Sequence, residues 1–168
     1  MNIFETPRLI IRPLKLCDSE QLSVITADEQ TMQYSASGAI DNSENTGFIT
    51  DCIKSYKTTG FGYWGIENKD TKALIGLCGL NRHKIGNSEF LHLNYRLATA
   101  FLGKGYATEA VNGLKKYCFD QLNESALYAI IEPQNIDSIH VAKRCGFEFE
   151  LATEFKSLTV NIYRANIS

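Results

Sequence analysis

Gly103-Lys104-Gly105 stands where the pattern of the chain changes. Tyr95-Arg96-Leu97 closes a strand-like run before it, and apolar residues recur at helical spacing after it. A strand, a glycine loop and a helix in that order make a particular kind of chemistry available. Glycine lets the backbone come close to a ligand. The first helical turn offers N–H groups with no partner, and the helix dipole adds a partial positive charge. Together they form a phosphate or pyrophosphate cradle, and Lys104 adds charge beside it. A plain strand-to-helix turn fits these residues as well. The loop is no GxxxxGK[ST], and Thr108 stands where a GxGxxG fingerprint needs its third glycine.

The elements that must position such a loop follow from spacing. Arg8 to Arg12 reads as a short strand closed by Pro13. Asp18 is expected to cap a helix, with Gln21 in the capping-box position and Leu22 and Ile25 on its apolar face. Residues 28–42 are polar and irregular. A second helix starts near Ser43, carries Phe48, Ile49, Cys52, Ile53 and Tyr56 on one side, and ends at Gly60. Runs at 61–67, 74–80 and 89–97, broken by Lys69-Asp70 and by residues 84–88, predict an antiparallel meander. After the glycines, Ala107, Ala110, Val111, Leu114, Tyr117 and Cys118 mark a helix face. A buried strand at 127–131 and a helix at 135–144 follow. Gly146 sits where a left-handed residue ends that helix, with Phe147 as the hydrophobic contact after it. Strands near 147–155 and 159–164 close the chain. The order β-α-α-β-β-β-α-β-α-β-β is an α+β layer architecture, expected as a single domain over 1–168.

Composition removes several function classes. The net charge of −2 offers no basic stripe for nucleic acid or an anionic membrane. No apolar run approaches the ~18 residues of a membrane span, and residues 1–12 lack the build of a signal peptide. Five cysteines, an odd number with no CxxC pair, read as reduced buried thiols in a cytoplasmic protein rather than as metal ligands. No metal is expected.

Three blocks carry a family resemblance. Leu102-Gly103-Lys104-Gly105-Tyr106-Ala107-Thr108-Glu109-Ala110 resembles the coenzyme A loop of the GNAT acetyltransferase superfamily, and is especially similar to its RimJ/RimL branch. Glu5 to Leu14 is similar to that branch's opening. Asn135-Ile136-Asp137-Ser138, followed by Lys143-Arg144-Cys145-Gly146-Phe147, resembles its late Asn-x-x-Ser … Lys-x-x-Gly-Phe block. There are departures. Ala100 replaces the loop's opening Gln or Arg, Leu102 replaces a tryptophan and is expected to alter a wall of the acceptor pocket, and Ala142 replaces the tyrosine that protonates the thiolate in many members.

The resemblance implies a mixed, mostly antiparallel seven-stranded sheet flanked by about four helices. It implies acetyl-CoA as cosubstrate and direct transfer to a primary amine, either a peptide N-terminus or a small molecule, by a monomer or a homodimer. The thioester is expected in a splay between the 89–97 and 127–131 strands. There an N–H near Asn94 or Tyr95 polarises its carbonyl, pantetheine runs along Tyr95, Arg96 and Leu97, and Leu102, Gly103, Lys104, Gly105, Tyr106, Ala107 and Thr108 hold the pyrophosphate. His92 is the first candidate for general base, since imidazole has a pKa of ~6.5. A half-exposed strand residue is the plainer reading of it. Glu89 is the second candidate. Ser138 either protonates the thiolate or binds cofactor, or it bonds the helix N-terminus. Asn135 either bonds the cofactor or caps the helix. His83 reads as a surface residue in a turn, His140 faces solvent, and Cys145 reads as core. Residues 28–42 and 81–88 are expected to border the acceptor pocket. A domain that binds acyl-CoA without catalysis, and a nucleotide-binding module, stand as alternatives.

Overall fold

Leu9 and Ile11 alternate with Ile10 and Arg12, the period-2 signature of a half-buried strand, and both are fully buried. A computed structural model describes residues 1–35 and 37–167. Its elements are β1 (Phe4–Glu5), β2 (Leu9–Arg12), α1 (Ser19–Thr26), α2 (Asn42–Thr58), β3 (Tyr63–Asn68), β4 (Leu74–Ile85), β5 (Ser88–Leu97), α3 (Tyr106–Gln121), β6 (Ala126–Ile131), α4 (Ile136–Arg144), β7 (Glu148–Phe155) and β8 (Leu158–Asn166). One sheet runs β1-β2-β3-β4-β5-β6-β8-β7. Every pairing is antiparallel except β5–β6. The sheet therefore has eight strands where seven were expected. The extra one, β1, is two residues long and pairs with Ile10 and Ile11, too short to leave a pattern.

The α+β expectation holds, with helices on both faces. Ala110, Val111, Leu114 and Cys118 of α3 and Ile139 and Ala142 of α4 pack with Cys78, Leu80, Leu93 and Leu97. Leu22 and Ile25 of α1 and Ile49 and Cys52 of α2 pack on the other face with Leu74 and Leu77. Cover on both sides explains why Leu74 to Leu80 is an unbroken buried run.

Two local expectations are corrected. β4 continues to Ile85, and the break is a tight turn at Gly86-Asn87. His83 consequently lies within a strand. Asp18 does not cap α1. Its carboxylate instead accepts from Arg12 Nη1 at 2.8 Å, Arg12 Nη2 at 2.9 Å and the Lys15 N–H at 2.7 Å. A bidentate charge-assisted pair is stronger than a cap bond and captures the carboxylate. Arg12 Nε donates to Glu67 at 2.6 Å, so one guanidinium ties β2 to β3 and to the turn before α1. Gln21 is diverted too, accepting from the Leu74 N–H at 3.0 Å.

The end of α4 matches the sequence. Gly146 has φ +80°, its N–H donates to Lys143 C=O, and the Phe147 N–H donates to Ala142 C=O, the bond pair of a Schellman motif.

Candidate active site

The glycine loop forms as expected. From β5 the chain makes a single 3-10 turn at Thr99–Phe101. Gly103 and Gly105 then take left-handed φ of +72° and +79°, and α3 begins at Tyr106. The N–H groups of its first turn have no intrahelical acceptor and open onto the loop.

Two residues that sequence reasoning missed hold this loop in place. Glu109 accepts from Thr6 Oγ1 at 2.6 Å, from the Arg8 N–H at 2.8 Å and from Arg8 Nε at 2.6 Å. Arg8 Nη1 donates to Lys104 C=O at 2.9 Å. Its guanidinium lies 4.3 Å from the centroid of the Tyr106 ring. The start of β2 thus clamps the loop and the first turn of α3. Burial alone would raise the Glu109 pKa, but the bonds from Thr6 and Arg8 outweigh it and hold the carboxyl below its usual range. Lone charges about a hundred positions apart give no local sequence signal of this contact.

The second feature is a gap in the sheet. β5 and β6 pair only at His92↔Tyr128 and Leu93↔Ala129. β5 then runs on with β4, while β6 runs on with β8. The direction of the amides along β5 follows from the ladder. Ala98 N–H donates to Ile75 C=O, and the register is unbroken from Gly76↔Leu97 to Ile85↔Ser88. Antiparallel alternation therefore gives the even residues of β5 to β4 and turns the N–H groups of Tyr95 and Leu97 towards the side that β6 has left. Of the two amides expected to face the splay, Tyr95 does so and Asn94 pairs with β4.

A cavity of about 780 Å³ runs through this gap. On the α3/α4 side it meets Tyr95, Ser138, Val141 and Ala142. On the α1/α2 side it meets Asn81, His83, His92, Asn94 and Arg96, with Glu44, Phe48 and Asp51 of α2. The connection before α2 contributes Met32, Tyr34, Ser35, Ser37 and Ile40, as expected of residues 28–42; Ala36 lies outside the described residues.

Tyr95 Oη donates to Ser138 Oγ at 3.2 Å, and Asn135 Oδ1 accepts from the Ser138 N–H at 3.3 Å. Asn135 is therefore the N-cap of α4, and it lines the cavity as well. Asn135→Ala is expected to cost about 1 kcal/mol, read as a lower urea midpoint with unchanged slope.

His92 is 5% exposed. Burial, reinforced by the neighbouring His83, lowers its pKa to about 4. His83 Nδ1 lies 2.6 Å from His92 Nε2, so His83 is a cavity residue and not a surface turn residue. Glu89 is not brought to the site. Its side chain is 50% exposed near the hairpin end, 3.5 Å from Arg82, and it lines no part of the cavity. Leu102 is 50% exposed and is likewise no wall of the cavity. Lys104 sits over the Phe101 ring. His140 is exposed. Cys145 is buried, and burial raises its thiol pKa, as fits a core residue. Among the described residues no group of three His, Cys, Asp or Glu is placed to hold a metal, and no helix is long and apolar enough to cross a membrane.

Comparison with known proteins agrees with this geometry. Residues 8–148 match the family model of the acetyltransferase (GNAT) domain. An uncharacterised N-acetyltransferase of Bacillus licheniformis, p20, is 28% identical over 151 residues, which cover 89% of this chain and 84% of that one. The crystal structure of an acetyltransferase from Agrobacterium tumefaciens is 27% identical, with a TM-score of 0.80 over 98% of this chain and 94% of that one. RimL, a ribosomal L7/L12 alpha-N-protein acetyltransferase solved with coenzyme A, shares the fold at 16% identity, with a TM-score of 0.82 over 99% of this chain and 98% of that one. The chain belongs to the GNAT family and is an acetyl-CoA-dependent N-acetyltransferase.

Proposed function

We propose that the protein passes the acetyl group directly from acetyl-CoA to a primary amine, a peptide N-terminus or a small molecule, with both substrates bound at once. The gap between β5 and β6, with the Tyr95 N–H turned into it, carries this reading. Pantetheine lies along Tyr95, Arg96 and Leu97 and reaches the gap from the α3/α4 side. Its diphosphate sits on the amides from Leu102 to Thr108. The amine enters from the α1/α2 side, where Glu44 and Asp51 favour a cation. The thioester oxygen faces the Tyr95 N–H, which stabilises the negative charge that develops as the amine attacks. His92 takes the amine's proton. Collapse of the tetrahedral intermediate breaks the C–S bond. Ser138 Oγ, which accepts from Tyr95, keeps its own proton to give to the leaving thiolate.

Solved relatives support acetyl-CoA as the donor: RimL was solved with coenzyme A, and a microcin C7 self-immunity acetyltransferase with acetyl-CoA and AMP. The test is thiol release from acetyl-CoA with a panel of trialanine amide, seryl-alanine amide, putrescine and single amino acids. A saturable acetyl-CoA complex that releases thiol only at the solution rate with every amine would favour a binding domain without catalysis. Gly105→Ala tests the cradle. A β-carbon at φ +79° costs about 1–2 kcal/mol and would meet Arg8 Nη2 at 3.4 Å. If that strain is relieved by distorting the loop, the acetyl-CoA Kd rises roughly tenfold, measured by calorimetry. An unchanged Kd in a variant whose loop is distorted would remove the loop from the binding site.

A further inference from the structure

His92 as base leaves one question of proton balance open. An imidazole 5% exposed, disfavoured as a cation by burial and by His83 and Lys156 more than the Leu93 backbone favours it, holds the proton it takes poorly, because a buried charge without an opposite charge beside it is costly. Among the described residues no carboxylate lies within 4 Å of either His92 or His83. What His92 does have is a second imidazole. His83 Nδ1 stands 2.6 Å from His92 Nε2, with the ring centroids 4.9 Å apart. His83 is half-buried where His92 is buried, and both line the cavity, so the pair runs from a buried wall of the cavity to a more exposed one. Phe155 lies edge-on to both rings, at 5.1 and 6.2 Å.

We propose that His83 and His92 form a two-imidazole relay that carries the acceptor amine's proton out of the site. The proposal rests on His92 being the base. One hydrogen occupies the 2.6 Å contact. With His92 as its donor, His92 Nε2 carries that hydrogen and His92 Nδ1 is bare. Nδ1 points to the Asn94 amide at 3.5 Å, on the cavity wall. The ammonium gives a proton to Nδ1. The His92 Nε2–H bond breaks as a bond to His83 Nδ1 forms, and His83 releases its Nε2 proton to water. Both rings end neutral with their tautomers exchanged. After product leaves, water at the two ends runs the pair backwards and restores the start.

The surroundings favour passage over storage. Lys156, in the β7–β8 turn, lines the cavity and opposes positive charge on both rings. The other polar side chains on this face of β4 and β5 are the neutral Asn81 and Asn94 and the cationic Arg96, and Glu44 and Asp51 of α2 line the same side with neither carboxylate within 4 Å of either ring. Burial lowers the pKa of each imidazole, so both stand unprotonated at neutral pH, ready to receive.

His83 acts through His92, so its test must separate passing a proton from holding a ring in place. His83→Gln keeps a hydrogen-bond acceptor for His92 Nε2 but cannot carry a proton. His83→Ala leaves room for added imidazole. Both variants are expected to lower kcat roughly tenfold with the fastest amine of the panel, while the KM for acetyl-CoA stays within about twofold. Added imidazole should restore the Ala variant in proportion to its concentration and leave wild type unchanged. Nitrogen-15 NMR of the wild type should show His92 protonated at Nε2 and bare at Nδ1. Wild-type kcat in His83→Gln would mean that His83 only orients His92, and would overturn the relay. So would unchanged kcat in His83→Ala, loss of rate without imidazole rescue, or a hydrogen carried on His83 Nδ1 in the contact. Full activity in His92→Ala would instead sink the reading of His92 as base, a separate result.

Discussion

His92→Ala is expected to lower kcat about 10²-fold, with acetyl-CoA binding unchanged. General-base catalysis contributes about 10²–10⁴-fold, and most when the base titrates near the working pH. His92 titrates at about 4. It is therefore neutral and available throughout the neutral range, but it is a weak base, which places the loss at the lower end. The same shift sets the pH behaviour. Between pH 8 and 5.5 His92 does not change charge, so its own titration puts no inflection in the wild-type rate there. The folded-state pKa is depressed, so stability from the neutral ring is complete above about pH 6.5, the usual histidine value, and is lost as pH falls towards 4. Wild type should thus lose more stability than His92→Ala across that window. Turnover within twofold of wild type, or an inflection near pH 6.5 present only in wild type, would remove His92 as the base.

What the sequence disclosed divides by distance along the chain. The glycine loop was legible because its parts are neighbours: two glycines, a strand end and a helix start within a dozen residues. The same holds for the Gly146 terminator of α4. The helices were legible from their apolar faces. β4 beyond Leu80 was not, because Asn81, Arg82, His83 and Lys84 are all polar and show no alternation. Their strand exists because β5 supplies the partner backbone. That single error moved His83 from a surface turn into the cavity. Asp18 shows the converse. Its spacing to Gln21 fits a capping box, yet tertiary partners claimed both side chains, Arg12 for one and the Leu74 N–H for the other. The Arg8–Glu109 clamp and the His83–His92 contact are pairings made by the sheet and by α3, and nothing in the residues themselves announces them. Even the choice of Tyr95 over Asn94 as the amide facing the gap needed the register of β4 against β5.

Arg12→Ala is expected to cost about 3–5 kcal/mol, the usual loss when one partner of a buried ion pair is removed. The guanidinium is 13% exposed, and it faces Asp18 at 5% and Glu67 at 15%. Removing it leaves two carboxylates in a site built for neutrality. For a chain of this length the loss corresponds to a fall in Tm of roughly 6–20 °C. The sign of the pH dependence discriminates charge from packing. In wild type, burial pushes the Asp18 pKa up, but the Arg12 bonds and the Lys15 N–H outweigh it and leave it lowered. Its stabilising contribution is therefore present above the ordinary aspartate pKa and fades as pH falls through the lower folded value. Without Arg12 burial is opposed only by the Lys15 N–H and the Lys15 charge, so the folded-state pKa rises from its wild-type value. The variant then gains relative to wild type as the carboxyl takes up its proton, and the stability gap narrows from pH 7 to pH 4.5. Adding Asp18→Asn and Glu67→Gln to Arg12→Ala should recover part of the loss at pH 7 by removing the stranded charges. Urea unfolding at the two pH values reads all of this. An equal gap at both, with no recovery in the triple variant, would mean that Arg12 stabilises β2 by packing its alkyl chain and not by its charge.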